Sequence, residues 1–310
     1  FTTLLAGLSL HQDDATDLLR RRLTTAQIQA MSVKTIRQRH RFKNAQIGLP
    51  GFGAGVYNGV TGYLIPTRDW DGRINGGQVR PREGGGYRWL TGCHLPSSEE
   101  MPLQVIPGDS TKPVYLVEGI GAKPWIVHFA TGATVIGAAG GNFASAPAQL
   151  QVVLERTAGQ KLVLLPDGES IYNEHVLNQY RRLVELVPQL QVRWWDQFHK
   201  GSDADETDSW QNGTDIPSTE FFEPERLTLL QARGWMFNLD RKADITISSK
   251  YLPSGLVASR TERLVAVISG LGTGKTESQK EIVSRAHDDG RPVIALSTLR
   301  RLSQQQAQNS

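Results

Sequence analysis

Three short apolar runs, each ending in carboxylates, constrain this chain more than any other feature. The first is Val114-Tyr115-Leu116-Val117-Glu118-Gly119 and the second Leu162-Val163-Leu164-Leu165-Pro166-Asp167-Gly168-Glu169. The third, Val192-Arg193-Trp194-Trp195, leads to Asp203-Ala204-Asp205-Glu206. Helix-like segments separate them, Pro147 to Arg156 and then Glu174 to Leu186. Apolar runs of this length alternating with helical spacing predict a parallel sheet covered on both faces. In such sheets the carboxyl ends of the strands share one edge, where ligands bind. The three acidic clusters are therefore expected to converge.

Convergence has an electrostatic consequence. Two unit charges about 5 Å apart repel by roughly 3 kcal/mol at an effective dielectric near 20, so four or five of them need protonation or a cation. Oxygen ligands of this kind suit Mg²⁺ or Mn²⁺, with water and phosphate oxygens completing the shell. That chemistry serves phosphoryl and nucleotidyl transfer. Read singly, each acid is an ordinary solvated loop residue, and only the three strand ends together carry the inference. Glu118, Asp167, Glu169, Asp203 and Asp205 are the candidate metal ligands, with Glu118, Asp167 and Glu169 as the catalytic core.

The N-terminal part reads differently. Asp13 or Asp14 can cap a helix carrying Leu18, Leu19 and Leu23, and Thr24 or Thr25 can start a second with Ile28 and Met31. The first 45 or so residues are expected to be helical. From Gly62 the signals change to strands: Tyr63-Leu64-Ile65-Pro66, a turn at Asp71-Gly72, Arg73-Ile74, and later Tyr87-Arg88-Trp89-Leu90. Asp-Gly between apolar runs signals a hairpin, so a small antiparallel sheet is expected here.

A second phosphate signal stands near the end. Leu264 to Ile268 is a buried-strand run, followed by Ser269-Gly270-Leu271-Gly272-Thr273-Gly274-Lys275-Thr276 and a helical segment from Glu277 to His287. Glycines let consecutive backbone N–H groups wrap a phosphate, the helix N-terminus adds positive potential, Lys275 neutralises phosphate charge and Thr276 can coordinate Mg²⁺. Gly272, Gly274, Lys275 and Thr276 are the candidate ATP-binding residues. Ser269 stands where the usual motif has its first glycine, a substitution that leans toward a helicase-type loop.

Composition sets the broad class. Of 310 residues 39% are apolar and 21% charged, with no low-complexity tract, so a globular protein of more than one domain is expected. No apolar run approaches the ~18 residues of a membrane helix. One cysteine, Cys93, leaves no internal disulfide and no cysteine-based zinc site, and with no signal peptide it suggests a cytoplasmic protein. Phe1 and the polar Gln304-Gln305-Gln306 read as cuts through a longer chain. The net charge is only +3, but Arg20-Arg21-Arg22 and the run from Arg37 to Lys43 concentrate positive charge where it can meet nucleic-acid phosphates.

Glu118-Gly119 with Lys123, then Asp167-Gly168-Glu169, then Lys200-Gly201-Ser202-Asp203-Ala204-Asp205-Glu206 resemble the Toprim domain of bacterial primases, topoisomerases and some nucleases. The departure is Glu169, where that family usually has the second Asp of an Asp-x-Asp pair. The block Gly62 to Pro66, Asp71 to Ile74, Gly76 to Arg80 and Tyr87 to Leu90 resembles the strands preceding Toprim in bacterial replicative primases. This resemblance implies that Arg80 faces phosphate, with Arg73, Arg82 and Arg88 as weaker candidates, and that Lys123 and Lys200 also meet nucleotide or nucleic acid. The order of primase-like strands, Toprim and P-loop resembles cyanobacterial-type plasmid replication proteins, in which a primase-like domain is fused to a helicase.

The expected organisation is a helical segment at 1–47, a primase-like core at 48–210 with Toprim at 112–206, a connector at 211–260 and the start of a P-loop α/β domain at 261–310. The expected function is primer synthesis from nucleoside triphosphates on single-stranded DNA with two divalent ions, joined to ATP-dependent unwinding and to other replication machinery. Two other classes use the same residues: a Toprim nuclease or topoisomerase-like enzyme, and a non-catalytic initiator that only binds an origin.

Overall fold

The computed structural model describes residues 1–42, 50–53, 55–93, 95, 98–168, 170–195, 203–224, 226–227 and 275–290. Contacts divide the chain into two units, Phe1–Gly234 and Trp235–Ser310.

The first unit opens with helices α1 (Thr2–Ala6), α2 (Gln12–Arg20) and α3 (Thr25–Ala30). Thr24 starts α3 through a capping box with Gln27. The start of α2 differs from the sequence expectation. His11 is the cap, its Nδ1 accepting from the Asp13 N–H at 3.3 Å. Asp14 is thereby freed to turn inward, where it is buried and accepts from Arg82 Nε and Nη2 at 3.1 and 3.0 Å and from the Thr35 hydroxyl.

The helical reading of the first 45 residues fails at Lys34–Ile36, which form strand β1. Thr35 and Ile36 are β-branched and suit a pleated surface, and Thr35 pairs with Tyr63 of β4 (Gly62–Arg68). The hairpin β2 (Phe52–Gly53) and β3 (Val56–Tyr57) follows β1. The expected Asp71-Gly72 turn joins β4 to β5 (Ile74–Pro81), and β6 (Arg88–Trp89) completes an antiparallel sheet of order β1-β4-β5-β6. Alternation along β4 sorts its side chains between two cores. Leu64 packs with Leu4, Leu5, Ile36 and Val79, whereas Tyr63 and Ile65 pack with Leu18, Met31 and Trp125. Burial on both faces ties this sheet to the helices before it and to the layer after it. Cys93 lies inside the first of these cores, and burial pushes its thiol up to about 11.

The second sheet has six strands in the order β12-β11-β10-β8-β9-β7. They are β7 (Gln104–Ile106), β8 (Val114–Glu118), β9 (Val135–Ala138), β10 (Leu162–Leu165), β11 (Gln191–Trp194) and β12 (Thr214–Pro217). The central four run parallel, three of them (β8, β10 and β11) being the apolar runs that imply a parallel sheet, and both edge strands run antiparallel. Helices α5 (Pro147–Arg156) and α6 (Glu174–Leu186) have the ends expected from the sequence. Pro147 stands at the first turn of α5, and the Asn173 side chain caps α6 by accepting from His175 and Val176 N–H.

Two pieces of this layer escape sequence reading. Helix α4 (Ala122–Thr131) is buried along Ala122, Pro124, Trp125 and Val127, so no polar stripe marks its period. Strand β9 is only four residues and contains Gly137, where a Cβ would come within 2.4 Å of the Gly119 carbonyl. Its glycine, which reads as a breaker, is what lets β9 lie against the loop after β8.

The stretch expected as a connector begins instead with β12. Asp215 stands opposite Arg193 of β11 and receives its guanidinium, with the pair almost fully buried. Helix α7 (Ser218–Phe221) follows and buries Phe221 in the main core. In the second unit helix α8 (Lys275–Asp288) covers the helical segment expected after the glycine-rich loop. Among the described residues no helix is long and apolar enough to cross a membrane.

Candidate active site

The parallel order of β8 and β10 puts Glu118 and Asp167 at the same edge of the sheet, since Leu165 is in register with Val117. Gly119, at φ +89°, turns the chain out of β8 in a conformation that L side chains avoid. The turn lets α4 begin at Ala122 and bring Lys123 back over the strand ends. The loop at residues 203–206 closes the far side. Glu118, Lys123, Asp167, Asp203, Asp205 and Glu206 thus line one open cleft of 440 Å³.

Lys123 is the centre of this arrangement. Its Nζ donates to Asp167 Oδ1 and to Asp203 Oδ2 at 3.1 Å, and stands 3.7 Å from Asp205 Oδ1. Only 12% of its side chain is exposed. Burial disfavours the ammonium, but the charges of Asp167, Asp205 and Asp203 outweigh it and the lysine pKa is raised. Burial pushes the Asp167 carboxyl well above the usual carboxylate range; Lys123 opposes that rise, and Asp203 and Glu118 add to it. Glu206 is raised by burial and by Asp203 and Asp205.

Further contacts fix the acids and the loop that carries two of them. Asp203 Oδ1 accepts from the Gly168 N–H at 3.1 Å, coupling the 203–206 loop to the turn after β10. Asp205 Oδ2 accepts from Arg21 Nη1 at 3.0 Å, and Arg22 pairs with Asp208 at 2.6 Å. Tyr180 of α6 donates to Glu118 Oε2 at 3.2 Å. Burial, together with the charges of Glu118 and Asp167, raises its phenol pKa and keeps it a donor. Gly141 makes room for this tyrosine, because a Cβ there would come within 2.7 Å of the ring.

The structure brings together Glu118, Lys123, Asp167, Asp203 and Asp205. Glu169, Lys200, Gly272 and Gly274 lie outside the described residues, and of Lys275 and Thr276 only their place at the start of α8 is described. Arg80 stacks its guanidinium over the Tyr87 ring at 5.4 Å, and Tyr87 and Gln78 line the cleft. Arg73 does not reach the cleft; it is exposed at the hairpin turn and pairs with Asp71 at 3.2 Å. Arg82 is committed to Asp14. Arg21, Tyr180, Tyr87 and Gln78 were not singled out from the sequence. Arg21 had one signal, its place in the Arg20–Arg22 run, but that run divides between the cleft and Asp208.

The donor set suits a hard divalent cation, being carboxylate oxygen throughout. Lys123 already stands in for a positive ion among three of these acids. As placed, no group of three or more acidic, histidine or cysteine side chains among the described residues closes on one point to grip a metal.

No family model matches the chain and no curated protein is similar to it by sequence. Solved structures are similar in fold. The RNA polymerase domain of the Mycobacterium tuberculosis primase DnaG superposes with a TM-score of 0.50 at 14% identity, over 78% of this chain and 92% of that one. The fold is that of a DnaG-type primase catalytic domain. The Aquifex aeolicus primase, in its zinc-binding and RNA polymerase domains, gives 0.48 at 12% identity over 76% and 64%. A DnaG primase catalytic domain bound to single-stranded DNA gives 0.45 at 14% identity over 78% and 96%. In this primase-like frame the antiparallel sheet and the six-stranded sheet form one unit, and the acids sit at the carboxyl edge of the latter.

Proposed function

We propose that this chain is a primase-like nucleotidyltransferase of DNA replication that makes primers on single-stranded DNA, joined to a helicase-type ATP-binding module as in cyanobacterial-type plasmid replication proteins. The observation that carries the first part is the convergence of Glu118, Asp167, Asp203 and Asp205 on one cleft in a domain of DnaG-type fold. Glu118, Asp167, Asp203 and Asp205, with Glu169, would hold two Mg²⁺ or Mn²⁺ ions. Bound there, the ions would favour the ionised primer hydroxyl and neutralise the leaving pyrophosphate. The chain's own groups supply the rest. Tyr180 holds Glu118 through its hydrogen bond and Arg21 orients Asp205, while Arg80, Lys123 and Lys200 would meet triphosphate or template.

The test uses the whole chain with Mg²⁺ or Mn²⁺, labelled nucleoside triphosphates and single-stranded DNA. New short chains are the expected product. Cleavage of the template without synthesis would favour a Toprim nuclease, and tight DNA binding with neither activity would leave an origin-binding initiator.

DNA contact is expected to extend beyond the cleft. Arg37, Arg39 and Arg41 are exposed on the loop after β1. Neutralising all three should shallow the dependence of log affinity on log salt by about 2, at ~0.7 per phosphate contact on single strands. An unchanged slope would assign these arginines to a solvated face.

The ATP-binding part rests on the strand-loop-helix pattern around Gly272, Gly274, Lys275 and Thr276. ATP-driven unwinding by the intact protein should vanish in Lys275→Ala while primer synthesis persists. Loss of both together would sink the idea of separate modules.

A further inference from the structure

Lys123 stands where a bound cation would be expected. Its ammonium has three donors and no acceptor capacity, and three carboxylates surround it: Asp167, Asp203 and Asp205. The ammonium stands 3.1 Å from Asp203 and 3.7 Å from Asp205, so these oxygens lie farther from it than the 2.0–2.6 Å at which a divalent ion holds its oxygen ligands. The absence of a closed metal cluster among the described residues agrees with that spacing. An ion entering the trio would lie against a buried positive charge, so one of the two cations must leave.

The cleft has a place for the lysine to go. Gly119 and Gly121 line the wall beside it; a Cβ at Gly119 would meet nothing within 4 Å, whereas the Tyr87 ring covers Gly121, where a Cβ would come within 2.7 Å of it. The ten-residue helix α4 begins at the same point with the N–H groups of Ala122 and Lys123, Pro124 having none, and a helix N-terminus favours an anion. A triphosphate lying across this wall would receive the ammonium as it leaves the acids.

We propose that Lys123 and a divalent cation exclude one another at Asp167, Asp203 and Asp205, so that the lysine ties entry of the ion to arrival of a triphosphate. The proposal rests on the reading of the cleft as a divalent-ion site. In the ion-free protein Lys123 holds the acids assembled and competes with the ion for them. With triphosphate present the same side chain turns to phosphate and the acids close on metal.

The test measures Mn²⁺ uptake by the intact chain, from the electron paramagnetic resonance signal of the free ion, together with thermal unfolding. Lys123→Met should bind Mn²⁺ at least tenfold more tightly than the unaltered protein, and melt lower without the ion but not with it. Lys123→Arg, which keeps the charge, should gain no affinity. Equal or weaker binding by Lys123→Met would overturn the lysine's role alone, whereas no Mn²⁺ uptake by any of the proteins would overturn the ion site and the proposal together. Should Lys123→Met not fold, amine acetylation of the unaltered protein, read at Lys123 by peptide mass, decides the question. The rate should rise severalfold with Mg²⁺ and fall again when a triphosphate is added; a rate indifferent to Mg²⁺ would overturn the proposal.

Discussion

The proposed primer synthesis is expected to fall about 10²–10⁴-fold in Glu118→Gln, the range for removing an essential acid-base group, without unfolding of the domain. Glutamine keeps the length of the side chain and can still accept the Tyr180 hydrogen bond through its amide oxygen, so the geometry at the end of β8 survives. What it loses is the charge. The main chain at this position is held independently by pairing of Glu118 with Ala138 of β9. Because Glu118 adds to the repulsion felt by Asp167, neutralising it should leave the ion-free protein as stable as before or more so. Extension of labelled primers and thermal melting of the same preparations check both halves. Full synthesis by the variant would remove Glu118 from the chemistry, and a variant that merely unfolds would give it a structural role instead.

Asp215→Ala should cost about 3–5 kcal/mol of stability, the range for breaking a buried ion pair by removing one partner. The guanidinium of Arg193 is held on all sides: Nε and Nη2 donate to Asp215, the latter at 3.2 Å, while Nη1 donates to the Trp210 carbonyl at 3.1 Å. Nη2 also donates to the Tyr115 hydroxyl at 3.3 Å, and Lys161 pairs with Asp215 from outside at 2.6 Å. Only 10% of the Arg193 side chain and 9% of Asp215 are exposed, so water replaces the lost carboxylate poorly. The two residues face each other across β11 and β12, and the variant should therefore loosen the edge strand itself. Urea denaturation gives the loss directly. Replacing both partners, Arg193→Met with Asp215→Leu, should recover most of it, because the buried charge is gone. A loss below about 1 kcal/mol in Asp215→Ala, the range of an exposed pair, would mean that solvent reaches the guanidinium.

Much of the second sheet and its acids is legible in the chain. β8 up to Glu118 and β10 are runs apolar on both faces, β11 is marked by Val192 and Trp194, and the ends of α5 and α6 carry local signals in Pro147 and Asn173. Local chemistry of this kind needs no partner to be read. β9 and α4 escape for the opposite reason, since their residues make sense only inside the layer: Gly137 by its approach to Gly119, and α4 by burial almost all round. β1 and β12 are edge strands whose identity comes from the strand they join.

For the site, the sequence by itself determined which carboxylates end the strands, and the parallel arrangement it implies determined that Glu118 and Asp167 share an edge. Tertiary structure alone decided their surroundings. Arg21 reaches Asp205 across 184 positions and Tyr180 reaches Glu118 across 62, separations at which no local pattern constrains a contact. The sequence resemblance assigned Lys123 to nucleotide or nucleic acid; the fold sets its ammonium among three acids. Charge is read from a residue's identity, but its partner is chosen by the backbone that carries it, in this cleft by α4, α6, the end of β8, the turn after β10 and the loop at residues 203–206.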